Sequence, residues 1–352
     1  MRRNNMKRGN KVYRKQIGTL LLAATMTAAA MLTGCQGTTK ADTTAAEQTG
    51  TSAAQAESSG EDKLVVYFSS GMAGGAAWGQ AEKGFNDACA ELGWEGHYLA
   101  PQTPGNTQDM VNNTETALTN GADIILIVLT QEDAAEDVMN RAVEQGVTLI
   151  GIATDNDIPA AYIGTDPVNL GYSVAEALIQ AMGDRPIKVL TMQSNLTMEQ
   201  QNDQVAAFEE KLKELRPDAI VADKTECMSN AATAQDKISA SYLADPDINC
   251  MVSFDSYAGL GGAAFVQENG LQDSFCVVGI DDAPEILRCV QDGSMVCTVA
   301  QHWYNVGYDG AYLAKAVRDG GQYERGNDSG TTTLFIDDID GWVKERGIDM
   351  GE

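Results

Sequence analysis

The sequence contains little histidine and little positive charge. Of its 352 residues only His97 and His302 are histidine, and 24 Lys and Arg stand against 50 Asp and Glu, for a formal net charge of −26. Two histidines argue against a histidine-dependent hydrolase, and no Cys-x-x-Cys pair is present to build a Cys/His zinc site. The negative charge repels phosphate backbones. We therefore expect no metal, no cofactor and no nucleic-acid partner.

The sequence also lacks a strong membrane-spanning segment. The apolar stretch at residues 17–33 is short and weak for a span, which needs about 20 strongly apolar residues. It follows a start rich in Lys and Arg and is typical of a secretory signal. It ends in Leu32-Thr33-Gly34-Cys35, which resembles the lipobox of bacterial lipoproteins. The alternative is a plain signal peptide with an incidental Cys.

The lipobox resemblance implies cleavage before Cys35 and attachment of several acyl chains to it, which together anchor firmly. We thus expect a signal peptide at 1–34 and a protein held at the extracellular face of the cytoplasmic membrane by lipid alone. Residues 35–62 contain no large apolar side chain. Since such a composition cannot support a core, this segment is predicted to be a flexible tether.

Six further cysteines follow the tether. An even number outside the cell permits disulfides. Several of them stand singly in apolar stretches, where a thiol acts as a small core residue. We favour buried free thiols over disulfides for this group: Cys89, Cys227, Cys250, Cys276, Cys289 and Cys297.

From residue 63 onward, apolar strand-like runs alternate with segments of helical periodicity. The predicted strands lie at 63–68, 124–129, 147–152, 162–164, 188–192, 220–222, 250–254, 275–280 and 295–300. This alternation indicates parallel sheets with crossover helices. So many strands favour two sheets, hence two lobes, with a first crossing near Thr165-Asp166-Pro167.

Polar side chains follow the predicted strands. In an open α/β sheet, ligands bind outside the carboxyl ends of the strands. A Gly-rich loop and Trp78 follow the first strand, and the other strands are followed by Thr130-Gln131, Asp155, Gln193-Ser194, Asp255-Ser256, Asp281-Asp282 and Gln301-His302. The alternative for each Asp or Ser is that it caps the next helix. Together they predict a binding site along one edge.

The order and spacing of these segments resemble the type I periplasmic sugar-binding proteins, the ribose-binding group in particular, over nearly all of residues 63–340. The matching segments are 65–93, 118–152, 162–166, Phe254-Asp255, Val278-Gly279-Ile280-Asp281 and Val299-Ala300-Gln301. The resemblance implies an α/β fold of two doubly wound parallel-sheet lobes joined by three hinge crossings. We expect an N-terminal lobe at 63–165 plus 302–330 and a C-terminal lobe at 166–301 plus 331–352.

The resemblance also implies roles for individual residues in the cleft between the lobes. By position, Trp78 matches an aromatic residue that stacks on the sugar ring. Asp255, Asp281 and Gln301 match residues that bind sugar hydroxyls, and Asp155 is near a ligand-binding Asp.

Two departures from the family pattern make the cleft more negative. Gln204 falls where the second lobe has its usual ligand-binding Arg, and Asp255 stands where Asn is common. An amino sugar, another polyol or a cationic metabolite therefore stands beside ribose as a candidate.

The implied function is reversible capture of a sugar-like small molecule for the transmembrane subunits of an ABC permease, by a monomer without catalysis. One alternative is a lipoprotein that presents its ligand to a chemoreceptor or sensor kinase. Another is a dinucleotide-dependent enzyme, since Gly259–Ala264 fits G-x-G-x-x-A with Asp281 about 20 residues on. We expect those glycines inside a helix, which argues against it. The export signal argues against a sugar-responsive repressor of the same fold.

Overall fold

The computed structural model describes residues 63–74, 76–103, 106–128, 132–153, 155 and 157–351. The predicted signal peptide, Cys35 and the predicted tether lie outside these residues, as do Thr130 and Gln131. Within the described part of the chain, no helix combines the length and apolar character needed to cross a membrane.

Strands and helices alternate along the described chain. The strands are β1 (Val65–Ser69), β2 (Glu95–Leu99), β3 (Ile124–Ile127), β4 (Thr148–Ile152), β5 (Ala161–Gly164), β6 (Lys188–Gln193), β7 (Ile220–Glu226), β8 (Cys250–Ser253), β9 (Cys276–Ile280), β10 (Cys297–Gln301), β11 (Gly326–Asp328) and β12 (Thr331–Phe335). The helices are α1 (Ala76–Leu92), α2 (Thr107–Thr119), α3 (Glu132–Glu144), α4 (Pro167–Met182), α5 (Glu199–Leu215), α6 (Ala231–Ala244), α7 (Ser256–Asn269), α8 (Pro284–Gln291), α9 (Trp303–Arg318) and α10 (Ile336–Arg346).

The strands form two six-stranded sheets, which confirms the predicted two-lobed α/β fold. The first sheet has the order β11-β5-β4-β3-β1-β2 and is parallel throughout. The second has the order β12-β10-β9-β8-β6-β7 and is parallel except for β12, which runs antiparallel to β10. We call the first sheet with α1, α2, α3 and α9 the first lobe, and the second sheet with the remaining helices the second lobe.

Both sheets are covered on both faces by core residues. On β3, Ile124 and Leu126 pack into the core on one face, and Ile125 and Ile127 pack into the core on the other. Because successive strand residues point to opposite faces, a doubly covered strand must be apolar at every position. Each such side chain contributes roughly 1.5–3 kcal/mol when fully buried. This explains the continuous apolar run that predicted the strand.

The chain passes between the lobes three times, between β5 and α4, between β10 and α9, and between β11 and β12. The crossings lie side by side and bond to each other. The Ser329 amide donates to the carbonyl of Gly164 at 2.8 Å, and the His302 amide donates to the carbonyl of Gly330 at 3.2 Å. The Asp166 amide donates to the Asp328 carboxylate at 2.9 Å.

Helices α1 and α9 approach each other unusually closely because glycines face each other across them. A Cβ atom added to Gly307 would lie 1.9 Å from the carbonyl oxygen of Ala81 and 2.7 Å from the amide nitrogen of Phe85. A Cβ atom added to Gly84 would lie 2.1 Å from the carbonyl oxygen of Tyr304. The two helices therefore pack backbone against backbone, which fixes their relative position.

The glycines of the G-x-G-x-x-A match lie within α7, after the N-cap residue Asp255, and not in a strand-to-helix turn. A Cβ atom on Gly261 would meet the Ala234 side chain of α6 at 2.4 Å. These glycines therefore serve the packing of α7, and the turn that a dinucleotide site requires is not formed by them.

All six cysteines after the tether are free thiols, and all but the partly exposed Cys289 are buried. This confirms the preference for free thiols over disulfides. Burial raises the pKa of the Cys89 and Cys276 thiols to about 12, because the thiolate loses its hydration. Thiols held in this state are poor nucleophiles.

Helix α10 is attached to the second sheet through a buried carboxyl group. The indole Nε1–H of Trp342 donates to Asp282 Oδ2 at 2.9 Å. Burial raises the pKa of Asp282 to about 6, with Asp281 adding to the shift and the Trp342 bond opposing it. A carboxyl with a raised pKa binds its proton more tightly in the folded protein than in the unfolded chain. It therefore costs stability as the pH rises from 3.8 towards 6.

Replacing Gly307 with Ala should lower the free energy of unfolding by about 1–3 kcal/mol, because the added methyl group forces α1 and α9 apart. The matched control is Gly341→Ala in α10, where an added Cβ meets nothing within 4 Å. That change should raise stability by about 1 kcal/mol through helix propensity. Chemical denaturation checks both, and equal stability of the two variants would contradict the close packing.

Replacing Asp282 with Asn should raise stability above pH 6 and have little effect near pH 4. Asn can still accept the Trp342 hydrogen bond but never carries the buried charge. The gain over the unmodified protein should reach at most about 3 kcal/mol at pH 8. Denaturation of both proteins at several pH values measures it, with Asp273→Asn on the exposed surface as control. A difference that is independent of pH would rule out a raised pKa at Asp282.

Candidate functional site

A cavity of about 250 Å³ lies between the lobes, at the carboxyl ends of both sheets. This volume is slightly below the usual range for small-molecule sites. The first lobe lines it with Trp78, Val128, Ala153, Gly164, Thr165, Trp303 and Val306. The second lobe lines it with Met198, Gln200, Gln201, Gln204, Phe254, Asp255, Ser256, Ile280, Asp281 and Gln301.

The structure brings five of the six predicted site residues to this cavity: Trp78, Gln204, Asp255, Asp281 and Gln301. Asp155 is not among its lining residues. It lies in a neighbouring cavity, where its carboxylate accepts from the Arg325 guanidinium at 2.8 Å. Asp155 therefore lies apart from the other five, with its carboxylate paired to Arg325.

Two tryptophans form an aromatic corner on the first-lobe side. The ring centroids of Trp78 and Trp303 are 5.1 Å apart, with an angle of 50° between the ring planes. Phe68 on β1 supports Trp78 edge-on at 6.5 Å. The sequence predicted Trp78 as a site residue but not Trp303. The one indication for Trp303 was its position two residues after Gln301. The corner offers an apolar surface to the flat face of a ring.

Asp281 is the centre of a hydrogen-bond network on the second-lobe side. Its carboxylate accepts from the amide Nε2 of Gln301 at 2.6 Å and from the hydroxyl of Ser256. Its backbone carbonyl accepts from the hydroxyl of Thr298 at 2.7 Å. The side chains of Ser256, Asp281 and Gln301, which all line the cavity, are thereby held in one arrangement.

The pKa of Asp281 is raised. Burial is the main cause, and the nearby Asp255 carboxylate adds to it. Hydrogen bonds from Ser256 and Gln301 oppose the shift. The nearby indole N–H of Trp303 also opposes it, although it makes no hydrogen bond within the described part of the chain.

The backbone is strained at two positions on the cavity wall. Asp281 has φ 71° and Ala153 has φ 60°, in the left-handed region that side chains other than glycine, Asn and Asp rarely occupy. Ala153 follows β4 and Asp281 follows β9, so both deviations occur where a strand turns into the site. Such strain persists where the surrounding structure enforces it, often at binding sites.

Asp255 performs the capping role that its position also allowed. Its Oδ1 accepts from the backbone amides of Tyr257 at 2.9 Å and Ala258 at 3.1 Å, at the start of α7. Its Oδ2 accepts from the hydroxyl of Ser229 at 2.8 Å. The carboxylate lines the cavity, but its charge is stabilised by the helix N-terminus.

Two buried polar atoms on residues of the cavity wall have no hydrogen-bond partner among the described residues: Gln204 Oε1 on α5 and Trp303 Nε1 on α9. Gln204 is 6% exposed. An unsatisfied buried acceptor or donor costs about 1–3 kcal/mol. The second lobe thus has one acceptor, and the first lobe one donor, whose hydrogen-bonding capacity the described residues leave unused.

Metal chemistry finds no support at this cavity. Among the described residues, no three His, Cys, Asp or Glu side chains are grouped so that they could hold a metal ion. The polar groups at the cavity are amides, hydroxyls and two carboxylates, which suits hydrogen bonding to a polar solute.

Known proteins share both sequence and fold with this chain. The Escherichia coli (strain K12) protein "Ribose import binding protein RbsB" is 24% identical over 217 residues, which are 59% of this chain and 70% of that protein. The glucose-galactose binding protein GanP from Geobacillus stearothermophilus is similar in structure. Its TM-score is 0.70 at 21% identity, over 79% of this chain and 99% of GanP.

An ABC transporter solute binding protein from Agrobacterium vitis, solved with bound alpha-D-tagatopyranose, has a TM-score of 0.70 at 23% identity. The match covers 81% of this chain and 99% of that one. A family model described as "Periplasmic binding protein domain" matches residues 65–322. The match contains β1 to β10 and all the residues that line the cavity, and the chain belongs to this periplasmic binding protein family.

Proposed function

We propose that the protein is the solute-binding component of an ABC importer and captures a sugar or related polyol in the cavity between its lobes. The main support for this proposal is the composition of the cavity, in which the aromatic corner lies opposite a wall of amides and carboxylates. Relatives whose names specify ribose, glucose, galactose and tagatose support the same class of ligand.

A sugar ring has apolar faces and a rim of hydroxyl groups, and the cavity offers a partner to each. The rings of Trp78 and Trp303 cover one face of the sugar. Gln204, Asp281 and Gln301 bond to the hydroxyls, with Asp255 at the edge of the same wall. Hydrogen bonds to a carboxylate are roughly twice as strong as those between neutral groups. Asp155 is left out of this site because Arg325 engages it.

Binding and release require the lobes to move, and the three crossings are the natural hinges. We assign residues 63–165 with 302–330 to one moving unit and 166–301 with 331–352 to the other. Periplasmic binding proteins as a class close around their ligands by hinge bending, and we assign the motion to this chain by analogy with that class. The protein acts as a monomer, by reversible binding without chemistry, and delivers its ligand to the transmembrane subunits of a permease.

The proposal includes a lipid anchor on Cys35 at the outer face of the cytoplasmic membrane. Its support is the Leu32-Thr33-Gly34-Cys35 sequence after a basic and then apolar start. Residues 36–62, which contain no large apolar side chain, then separate the anchor from the binding domain.

Calorimetry with neutral monosaccharides and polyols should identify a ligand, and NAD and ATP should not bind. Trp78→Ala and Gln204→Leu should each weaken that ligand at least tenfold, about 1.4 kcal/mol, through loss of ring contact or of a hydrogen bond. Gln108→Leu on the exposed face of α2 is the matched control and should leave affinity unchanged. Binding of a nucleotide alone, or unchanged affinity in both cavity variants, would refute this site.

Replacing Cys35 with Ala should prevent acylation and move the full-length protein from the detergent phase to the aqueous phase in a phase-separation assay. Cys289→Ala removes a thiol from the partly exposed position in the folded domain and should leave the partition unchanged. A Cys35→Ala protein that stays in the detergent phase would show that something other than acylation of this residue anchors it.

A further inference from the structure

The cavity contains negative charge without a balancing cation. Asp255 and Asp281 both line it, and no Lys, Arg or His is among its described lining residues. The structure does not describe residues 129–131, 154 and 156, which are close in sequence to lining residues. None of them is basic. No basic side chain of the described residues or of these short stretches is therefore at this wall to compensate the two carboxylates.

The two carboxylates differ in how the protein stabilises them. Asp255 accepts two backbone N–H groups at the N-terminus of α7, where the helix dipole favours a negative charge. Asp281 accepts hydrogen bonds from two neutral groups, the hydroxyl of Ser256 and the amide of Gln301, and the neutral indole N–H of Trp303 lies nearby. Its burial and its proximity to Asp255 both disfavour its charge. Asp281 is thus the uncompensated group.

A buried carboxylate without a positively charged partner is energetically costly. Such a carboxylate either binds a proton or is stabilised by a cation beside it. We propose, on the basis of the proposed function, that the ligand carries an ammonium group that contacts Asp281. An amino monosaccharide is such a ligand. The ammonium supplies three N–H donors. The unpartnered Gln204 Oε1 is an acceptor on the same wall.

The aromatic corner fits the same ligand. Trp78 and Trp303 present ring faces from the first lobe, and a cation near a tryptophan face is attracted by it. A neutral sugar would leave Asp281 without its counter-charge. An anionic sugar, such as a sugar acid or phosphate, would face two carboxylates and be excluded.

Matched pairs of sugars test the inference. Glucosamine is compared with glucose, galactosamine with galactose, and mannosamine with mannose, by calorimetry at a pH where the amine is protonated. We expect at least one amino sugar to bind at least tenfold more tightly than its neutral partner. Equal or tighter binding of every neutral partner would overturn the inference and leave the proposed function intact. Absence of binding by both series would contradict the proposed function itself.

Variants then test whether Asp281 provides the counter-charge. Asp281→Asn suits the left-handed backbone, which Asn tolerates. This substitution should reduce the ratio of amino-sugar affinity to neutral-sugar affinity at least tenfold. Asp282→Asn removes the neighbouring buried carboxyl, which does not line the cavity, and should leave the ratio unchanged. A ratio retained in Asp281→Asn, or lost equally in both variants, would refute the role of Asp281.

A second variant covers the case in which Asp281→Asn does not fold. Gln204→Arg places a guanidinium at the wall and supplies the missing positive charge from the protein. It should lower amino-sugar affinity at least tenfold and bring neutral sugars to equal or greater affinity. Continued preference for the amine in a folded Gln204→Arg protein would contradict the electrostatic argument.

Discussion

The geometry of the protein depends on the hydrogen bonds among its three crossings. Bonds from Ser329 to Gly164 and from His302 to Gly330 keep three short connections adjacent. Parallel strands have all their carboxyl ends at one edge of the sheet. The three connections place this edge of each sheet next to the same cavity. A side chain that follows a strand is thereby placed on a wall of the site. This is why Asp281 and Gln301, far from Trp78 in sequence, share one cavity with it.

The sequence predicted the central strands because burial on both faces demands apolar residues at every position, as in Ile124–Ile127. It did not reveal β2, β11 or β12, each of which lies at the edge of a sheet. An edge strand pairs on one side only and packs less, so its residues carry a weak apolar pattern. Five of the six predicted site residues reach the cavity. Asp155 lies in the neighbouring cavity and pairs with Arg325, a residue far along the chain whose proximity the local sequence does not show.

Sequence could not distinguish the roles of Asp255 and Asp281. Both follow a buried strand and both precede a helix, yet one caps its helix and the other does not. In the structure Asp255 has its charge stabilised by backbone amides, and Asp281 is held by Ser256 and Gln301 at a strained φ. The difference arises from three-dimensional neighbours far apart in the chain. The proposed selectivity of the cavity therefore depends on a detail of hydrogen bonding that residue type alone does not specify.

The glycine contact between α1 and α9 determines how the binding surface is prepared. Trp78 stands at the start of α1 and Trp303 at the start of α9, and Gly84 and Gly307 hold these two helices backbone to backbone. The conformational entropy of aligning the two indoles is consequently lost during folding and not on encounter with a solute. A ligand of the proposed class therefore meets two indoles that are already positioned, which lowers the entropic cost of binding it.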